Sequence, residues 1–397
     1  MIFDSRSVLL EAFDTALNDA LVRFRIQDQE VSVGRLNGHC KDEFCIRVHR
    51  PRFFDRVLSY GNLGMGESFM EGDFELERGT LHDFLTALLR NRIEKKIRNT
   101  ARLALRVQAT RLWNALRTRE ANVQRHYDLG NDLFEAFLDP TLTYSCGYAN
   151  SPKDSLEILQ LNKLDRICRK LRLSQGATLL DIGCGFGGLL IFAAERYGTR
   201  GTGITISRAQ WERGNAEIRR RDLSHLISIE FREYRDIRGQ YDRVVSVGML
   251  EHVPRREYGM YFRKIADALR PGGLGLVHAI GCTSAVNQHD PFIQKYIFPE
   301  SNQLRLSEMT KCMENCGLAV LDVENMIRHY SHTLLGWLAR FQENQAALDS
   351  RRYDAVFKRM FEYYLACGVA AARASDAALY QVVFHNERAS EISLQRV

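Results

Sequence analysis

Leu179-Leu180-Asp181-Ile182-Gly183-Cys184-Gly185-Phe186-Gly187-Gly188 decides the fold class of this 397-residue chain. Leu179, Leu180 and Ile182 read as residues of a buried strand. Gly183, Gly185 and Gly187 then form a glycine turn, and Leu189, Leu190 and Ile191 open a helix. A strand, a glycine turn and a helix in that order make a nucleotide-binding crevice in an open α/β sheet. The glycines let the backbone approach a ligand without Cβ clashes. Taken alone, the spacing also fits any tight strand-to-helix turn. Here an acid, Asp181, precedes the first glycine. That order suits the amino-acid end of S-adenosylmethionine better than a dinucleotide pyrophosphate.

Regular alternation extends outward from this run. Strand candidates are Thr178 to Ile182, Gly201 to Ile206, Ile227 to Phe231, Tyr241 to Val247 and Gly273 to His278, with helical stretches between most of them. Such alternation predicts an α/β fold, a doubly wound, Rossmann-like sheet with both faces covered. Residues 331 to about 375 read as helices that roof the carboxyl edge of the sheet, where ligands bind. Upstream, short strand-like runs and the glycine-dense Tyr60 to Asp73 segment suggest a smaller α+β domain with turns between small elements. The division expected is 1–115 for this domain with its basic linker and 116–397 for the catalytic domain.

Composition narrows the class. Hydrophobic residues at 45% and charged residues at 26% describe an ordinary globular chain. No apolar run approaches the roughly 20 residues that cross a bilayer. The start, Met1-Ile2-Phe3-Asp4-Ser5-Arg6, followed by Glu11, Asp14 and Asp19, lacks the charge profile of a secretory signal. Nine cysteines without C-x-x-C pairs predict reduced thiols in a cytoplasm and no metal site. The net charge of +6 is uneven: Lys95, Lys96, Arg98, Arg102, Arg106, Arg111 and Arg117 face only Glu94 between Arg92 and Arg119. This stretch is either a solvated helix face or a surface for anionic phosphates. A nucleic-acid reading requires aromatic stacking residues beside the charge, and Trp113 alone is there, so no nucleic-acid partner is expected.

Other residues stand at the carboxyl ends of the predicted strands. Thr205, Ser207 and Gln210 occupy the end of the second strand, where many nucleotide-binding sheets carry a ribose-binding acid. Ser207 also fits as a helix N-cap. Tyr234-Arg235 follows the third strand and reads as an adenine-flanking pair or a solvated turn. Glu251 follows the fourth, and an acid at that edge points to function. His278 ends the next strand; a lone histidine, like Cys146 taken alone, is more often a core group than a catalyst.

Together these pieces resemble the cyclopropane-fatty-acid-phospholipid synthase family, which includes the mycolic acid cyclopropane synthases. The resemblance rests on His126-Tyr127-Asp128-Leu129-Gly130-Asn131-Asp132-Leu133-Phe134, Leu138-Asp139-Pro140, Tyr144-Ser145-Cys146 and the glycine run. It continues through Glu251-His252, Lys295-Tyr296-Ile297-Phe298-Pro299, Arg359-Met360-Phe361 and Tyr363-Tyr364-Leu365. The Gly64 to Met70 region looks like the extra domain of the phospholipid enzymes. The implied fold is the methyltransferase sheet with helical additions over the active site. The implied reaction converts the cis double bond of a phospholipid acyl chain to a cyclopropane ring. The alkene attacks the methyl of S-adenosylmethionine, a carbocation forms, one proton leaves the transferred methyl, and the ring closes. A lipid C-methyltransferase giving a methyl or methylene branch is the alternative.

The resemblance also implies a bound bicarbonate as the base. Its holders are Cys146, Glu251, His278, the backbone at Ile280, and Tyr330, which has His329 and His332 as neighbours. The implied cofactor set is Tyr144, Ser145, Gly183, Gly185, Thr205, Gln210, Tyr234 and Arg235, beside Asp181 and Gly187 of the glycine run. The expected partners are unsaturated phospholipids and a second copy in a homodimer, on the inner face of the membrane.

Overall fold

Phe24, with Ala20, Val22 and Ile26, faces the core from one side of the first strand, and the intervening residues face outward. That two-residue period makes Ala20–Ile26 a half-buried strand, β1. It pairs antiparallel with β2 (Gln29–Arg35) and parallel with β3 (Asp42–Val48), which pairs antiparallel with β4 (Phe74–Arg78). The sheet order is β2-β1-β3-β4. The computed structural model describes residues 4–37, 42–117, 130–283, 290–299, 301–374 and 377–386. His126 to Leu129 of the family motif lie outside them.

The chain divides into two units. The first groups Met1–Leu129 with His289–Pro299 and Phe341–Ala374. The expected boundary between 115 and 116 therefore does not describe the division: two distant segments join the N-terminal part. Packing explains why. Phe292 lies 4.6 Å from Tyr363 and Tyr363 lies 5.9 Å from Phe69, ring to ring. Lys295 and the Tyr296 hydroxyl both bond Glu67, at 2.6 and 2.9 Å.

Gly64 and Gly66, expected in turns, lie within the helix Asn62–Met70. They serve close packing. A Cβ on Gly64 would fall 2.0 Å from the Arg56 carbonyl oxygen, and one on Gly66 2.3 Å from the Phe292 ring. The basic stretch is also partly structural. Lys96 donates to the Ala16 carbonyl at 2.7 Å, Arg106 pairs with Glu11, and Arg111 donates to the Leu58 carbonyl at 2.7 Å.

The second unit groups Gly130–Gln288, Glu300–Arg340 and Ser375–Val397. It holds β5 (Thr178–Ile182), β6 (Arg200–Thr205), β7 (Ile227–Phe231), β8 (Tyr241–Val247), β9 (Leu269–Gly281), β10 (Leu318–Asn325) and β11 (Ala378–Asn386). Their order is β10-β11-β9-β8-β5-β6-β7. β5 to β9 pair in parallel, and β11 is antiparallel to both neighbours. Successive residues feed opposite faces: Leu180 and Val244 join one buried cluster with Tyr261 and Phe262, while Leu179 and Val245 join another with Leu190 and Ile218. Both faces are thus covered, as the doubly wound reading expects. The five expected strands are present. The added pair, β10 and β11, escaped the sequence reading because β11 is an apolar run buried along most of its length, without alternation. Strand order reverses where β5 neighbours both β6 and β8, and ligands bind at the carboxyl ends of strands beside such a reversal.

Candidate active site

The glycine turn after β5 holds three left-handed residues, Gly183 (φ +75°), Gly185 (+58°) and Gly187 (+82°). Gly183 and Cys184 both donate to the Ile204 carbonyl, at 3.0 and 3.1 Å, which fixes the turn on β6. A Cβ on Gly185 would meet nothing within 4 Å, and one on Gly183 would lie 2.8 Å from the Met249 side chain. The turn thus leaves room at one glycine and has none to spare at another, as a backbone cradle requires. Gly187 caps the helix Gly188–Tyr197. Asp181 is buried, and burial raises its carboxyl to about 7 against the lowering effect of Lys163.

Lys163 was not foreseen. It lies within the helix Leu156–Lys170, is 1% exposed, and donates to the Ser145 hydroxyl at 3.0 Å. Gln160, one turn earlier, donates to the Ser145 carbonyl at 2.9 Å. These two polar side chains pin the Tyr144-Ser145-Cys146 segment. Burial lowers the Lys163 ammonium to about 8, opposed by the charges of Asp139, Cys146 and Asp181. The signal was present in sequence: Gln160 and Lys163 fall on the apolar stripe of their helix, with Leu156, Leu159, Leu164 and Ile167.

Tyr144 belongs to an aromatic cluster, 5.1 Å from Trp337, 5.4 Å from Phe137 and 5.7 Å from Phe134. Tyr330, half-buried on the helix Ile327–Asn344, meets the same Trp337 edge-on at 6.0 Å. Its neighbour His329 faces elsewhere: it stacks on Tyr148 at 4.1 Å and its Nδ1 accepts from the Ala149 amide at 3.1 Å. Cys146 is 1% exposed and its thiol donates to the Gly147 carbonyl at 3.0 Å. Burial pushes that thiol up to about 12, which favours the neutral thiol at neutral pH.

Beyond β8, Glu251 stands on the short turn Leu250–His252. Its Oε1 accepts from the Ile280 amide at 2.6 Å. Of the Ile280 backbone, expected beside the anion, the N–H is given to the Glu251 carboxylate that it positions. Glu251 Oε2 is buried without a partner among the described residues. So is Nε2 of His278, two residues before Ile280 on β9. Burial raises Glu251 to about 7. An orphaned carboxylate oxygen and an orphaned imidazole nitrogen fit a small group able to donate to one and accept from the other.

Thr205 and Gln210 meet at the end of β6, where the threonine hydroxyl donates to Gln210 Oε1 at 2.8 Å. Ser207 is the N-cap of the helix that follows. Tyr234 is buried against Tyr261 and its hydroxyl donates to Glu257 at 2.8 Å, while Arg235 pairs with Glu233 and Glu257. Both side chains are thus held in place at the end of β7 by Glu257, Glu233 and Tyr261. Among the described residues no group of His, Cys, Asp and Glu is arranged to hold a metal, and no helix is long and apolar enough to cross a membrane.

Comparison with known proteins agrees with this geometry. The family profile described as mycolic acid cyclopropane synthetase matches residues 114–382. The chain is 40% identical over 341 residues to the cyclopropane-fatty-acyl-phospholipid synthase of Escherichia coli strain K12, covering 85% of this chain and 87% of that one. It is 32% identical over 353 residues to the tuberculostearic acid methyltransferase UfaA1 of Mycobacterium tuberculosis, covering 84% and 81%. Among solved structures, the mycolic acid cyclopropane synthase CmaA1 complexed with SAH and CTAB aligns with a TM-score of 0.61 at 28% identity, over 68% of this chain and 98% of that one. The chain therefore belongs to the mycolic acid cyclopropane synthetase family, and is an S-adenosylmethionine-dependent methyltransferase that acts on lipid.

Proposed function

We propose that this chain converts the cis double bond of unsaturated acyl chains in membrane phospholipids to a cyclopropane ring, with a bicarbonate ion as the base. The observation that carries the reading is the pair of orphaned buried atoms, Glu251 Oε2 and His278 Nε2, at the carboxyl edge of the sheet. The cyclopropane-fatty-acyl-phospholipid synthase of Escherichia coli, 40% identical and matched over 85% of this chain, supports the substrate class.

S-adenosylmethionine supplies an electrophilic methyl group, and bicarbonate a proton acceptor that is not a side chain. Asp181, Gly183, Gly185 and Gly187 cradle the cofactor from the end of β5. Tyr144 and Ser145 flank it, and Thr205 and Gln210 contact it from the end of β6. Lys163 and Gln160 hold the Tyr144–Cys146 segment still, so that placement needs no rearrangement during reaction. The aromatic rings around Tyr144 exclude water and tolerate positive charge on their faces. Glu251 accepts a hydrogen bond from the anion's hydroxyl, His278 donates to it, and Tyr330 donates from the helix Ile327–Asn344. Cys146 contributes shape and a weak donor. Ile280 acts through Glu251.

The same reading places the enzyme in the cytoplasm as a homodimer, peripherally bound to the inner face of the membrane. The second unit carries the chemistry. A methyl-branched product is the second reading, favoured by the identity to the tuberculostearic acid methyltransferase. Lipids from cells expressing the chain decide between them: ring methylene protons resonate upfield of ordinary methylenes in proton NMR. In vitro, removing carbon dioxide is expected to lower turnover and added bicarbonate to restore it. Turnover indifferent to bicarbonate refutes the base; lipids without ring protons refute the product.

A further inference from the structure

Three adjacent strands present polar side chains in one row. Glu324 on β10 is paired in register with Gln381 on β11, and Gln381 is paired with His278 on β9. Gln381 is 0% exposed and His278 1%. The last residue of the helix Leu156–Lys170 completes the row: Lys170 donates to Glu324 Oε2 at 2.7 Å and to Gln381 Oε1 at 2.8 Å. Arg166, one turn earlier, grips the same Glu324 with two bonds, at 3.0 and 2.8 Å. At the far end, the Gln381 amide nitrogen lies 3.2 Å from His278 Nδ1.

The donor inventory settles the direction of every bond in this row. An ammonium has only donors, so the Gln381 atom facing Lys170 is the carbonyl oxygen. The amide nitrogen then faces His278, and it too only donates. Nδ1 of His278 must accept, which requires a bare lone pair. The ring proton of the neutral imidazole therefore sits on Nε2, the atom left without a partner.

We propose that Lys170 and Gln381 are positioning residues that lock His278 in its Nε2–H tautomer, so that it meets the reacting site as a neutral hydrogen-bond donor. This rests on the proposed role of His278 in holding an anion, and it names what makes that role possible. A neutral imidazole in the other tautomer presents a lone pair to an anion and repels it. An imidazolium would set Nδ1–H against the amide protons of Gln381. Burial, with the charges of Lys163 and Lys170 beside it, pushes His278 down to about 3, in keeping with a neutral ring. The long ladder has a physical purpose. A glutamine alone can flip its amide; one held by a buried ammonium, itself anchored on a carboxylate, cannot.

The test uses the full chain with 15N-labelled histidine. His278 is assigned by its loss in His278→Gln, and its ring nitrogens are read by long-range proton–nitrogen NMR. The wild type is expected to show Nδ1 unprotonated and Nε2 protonated. Gln381→Glu replaces the donating amide with an acceptor that still satisfies Lys170, so Nδ1 is expected to gain a proton. Turnover should fall about 10- to 100-fold, as when residues that orient a histidine are changed. S-adenosylmethionine affinity should stay unchanged. A wild-type ring protonated on Nδ1 overturns the proposal, whether or not any variant folds. So does a Gln381→Glu protein with an altered ring and undiminished turnover. Wild-type turnover indifferent to bicarbonate, with the expected tautomer and a slowed variant, removes the anion but supports the positioning role.

Discussion

Replacing Glu251 with glutamine separates a structural carboxylate from a working one. Burial raises the carboxyl from 4.5 to about 7. At about 1.4 kcal/mol per pKa unit, keeping it ionised costs the folded chain about 3 kcal/mol. The sign follows from linkage. A pKa raised on folding means that the folded state binds the extra proton between 4.5 and 7, so stability is lost as pH rises through that window. Glu251→Gln does not titrate. Its carbonyl can keep the bond from the Ile280 amide, which now measures 2.6 Å. Its NH₂ replaces the orphaned Oε2 and brings a separate penalty of about 1 to 3 kcal/mol for an unmet donor. That penalty is the same at every pH and cancels in a comparison. Relative to wild type, the variant should therefore gain about 3 kcal/mol between pH 5 and pH 8. Urea denaturation of both proteins at the two pH values measures it. Turnover should drop about 100-fold or more, the scale of losing the general base that Glu251 holds, while calorimetric affinity for S-adenosylmethionine is kept. A stability difference that does not move with pH, or cofactor binding lost with turnover, refutes the reasoning.

Three further outcomes are expected. Gly183→Val sets a branched side chain at φ +75°, about 1 to 2 kcal/mol of backbone strain, and 2.8 Å from Met249; calorimetry should show cofactor binding lost while circular dichroism stays near native. Binding to anionic vesicles should weaken with salt, at about 1 kcal/mol per basic residue near the surface. Because Lys96 bonds the Ala16 carbonyl, the informative changes are Lys95→Gln and the exposed Leu105→Ser and Leu112→Ser, and equal sedimentation of the triple variant counts against a membrane role for the basic stretch. Cys146, buried and held up to about 12, should resist iodoacetamide at pH 8 in the folded protein, and rapid labelling there would contradict its placement.

What the sequence made legible follows from what each residue type can do alone. Gly183, Gly185 and Gly187 are readable because only glycine serves where φ is positive and a ligand must come close. The five parallel strands are readable because each is bounded by turns and alternates with a helix. Gly64 and Gly66 show the opposite case. Their purpose lies in atoms of Arg56 and Phe292, and glycine read locally suggests a turn. Tyr234 divides in the same way: its position at a strand end is visible, while its burial against Tyr261 is a property of the packed core.

The proposed catalytic edge divides along the same line. Glu251 and His278 stand out as polar groups where strands end, yet neither explains its own protonation state. His278 depends on Gln381, 103 residues away, and Gln381 on Lys170, 211 residues away. No local pattern joins those three positions; β9 and β11 bring two of them together only because β11 enters the sheet antiparallel. A trace was nonetheless present. Gln160, Lys163 and Lys170 are polar residues buried on one helix, where a stripe of leucines alone would pack as well. Burying an ammonium is costly unless something nearby requires its charge. Two such ammonium groups within reach of one histidine mark an edge of the sheet whose electrostatics are set from the helix beneath it, before any ligand arrives.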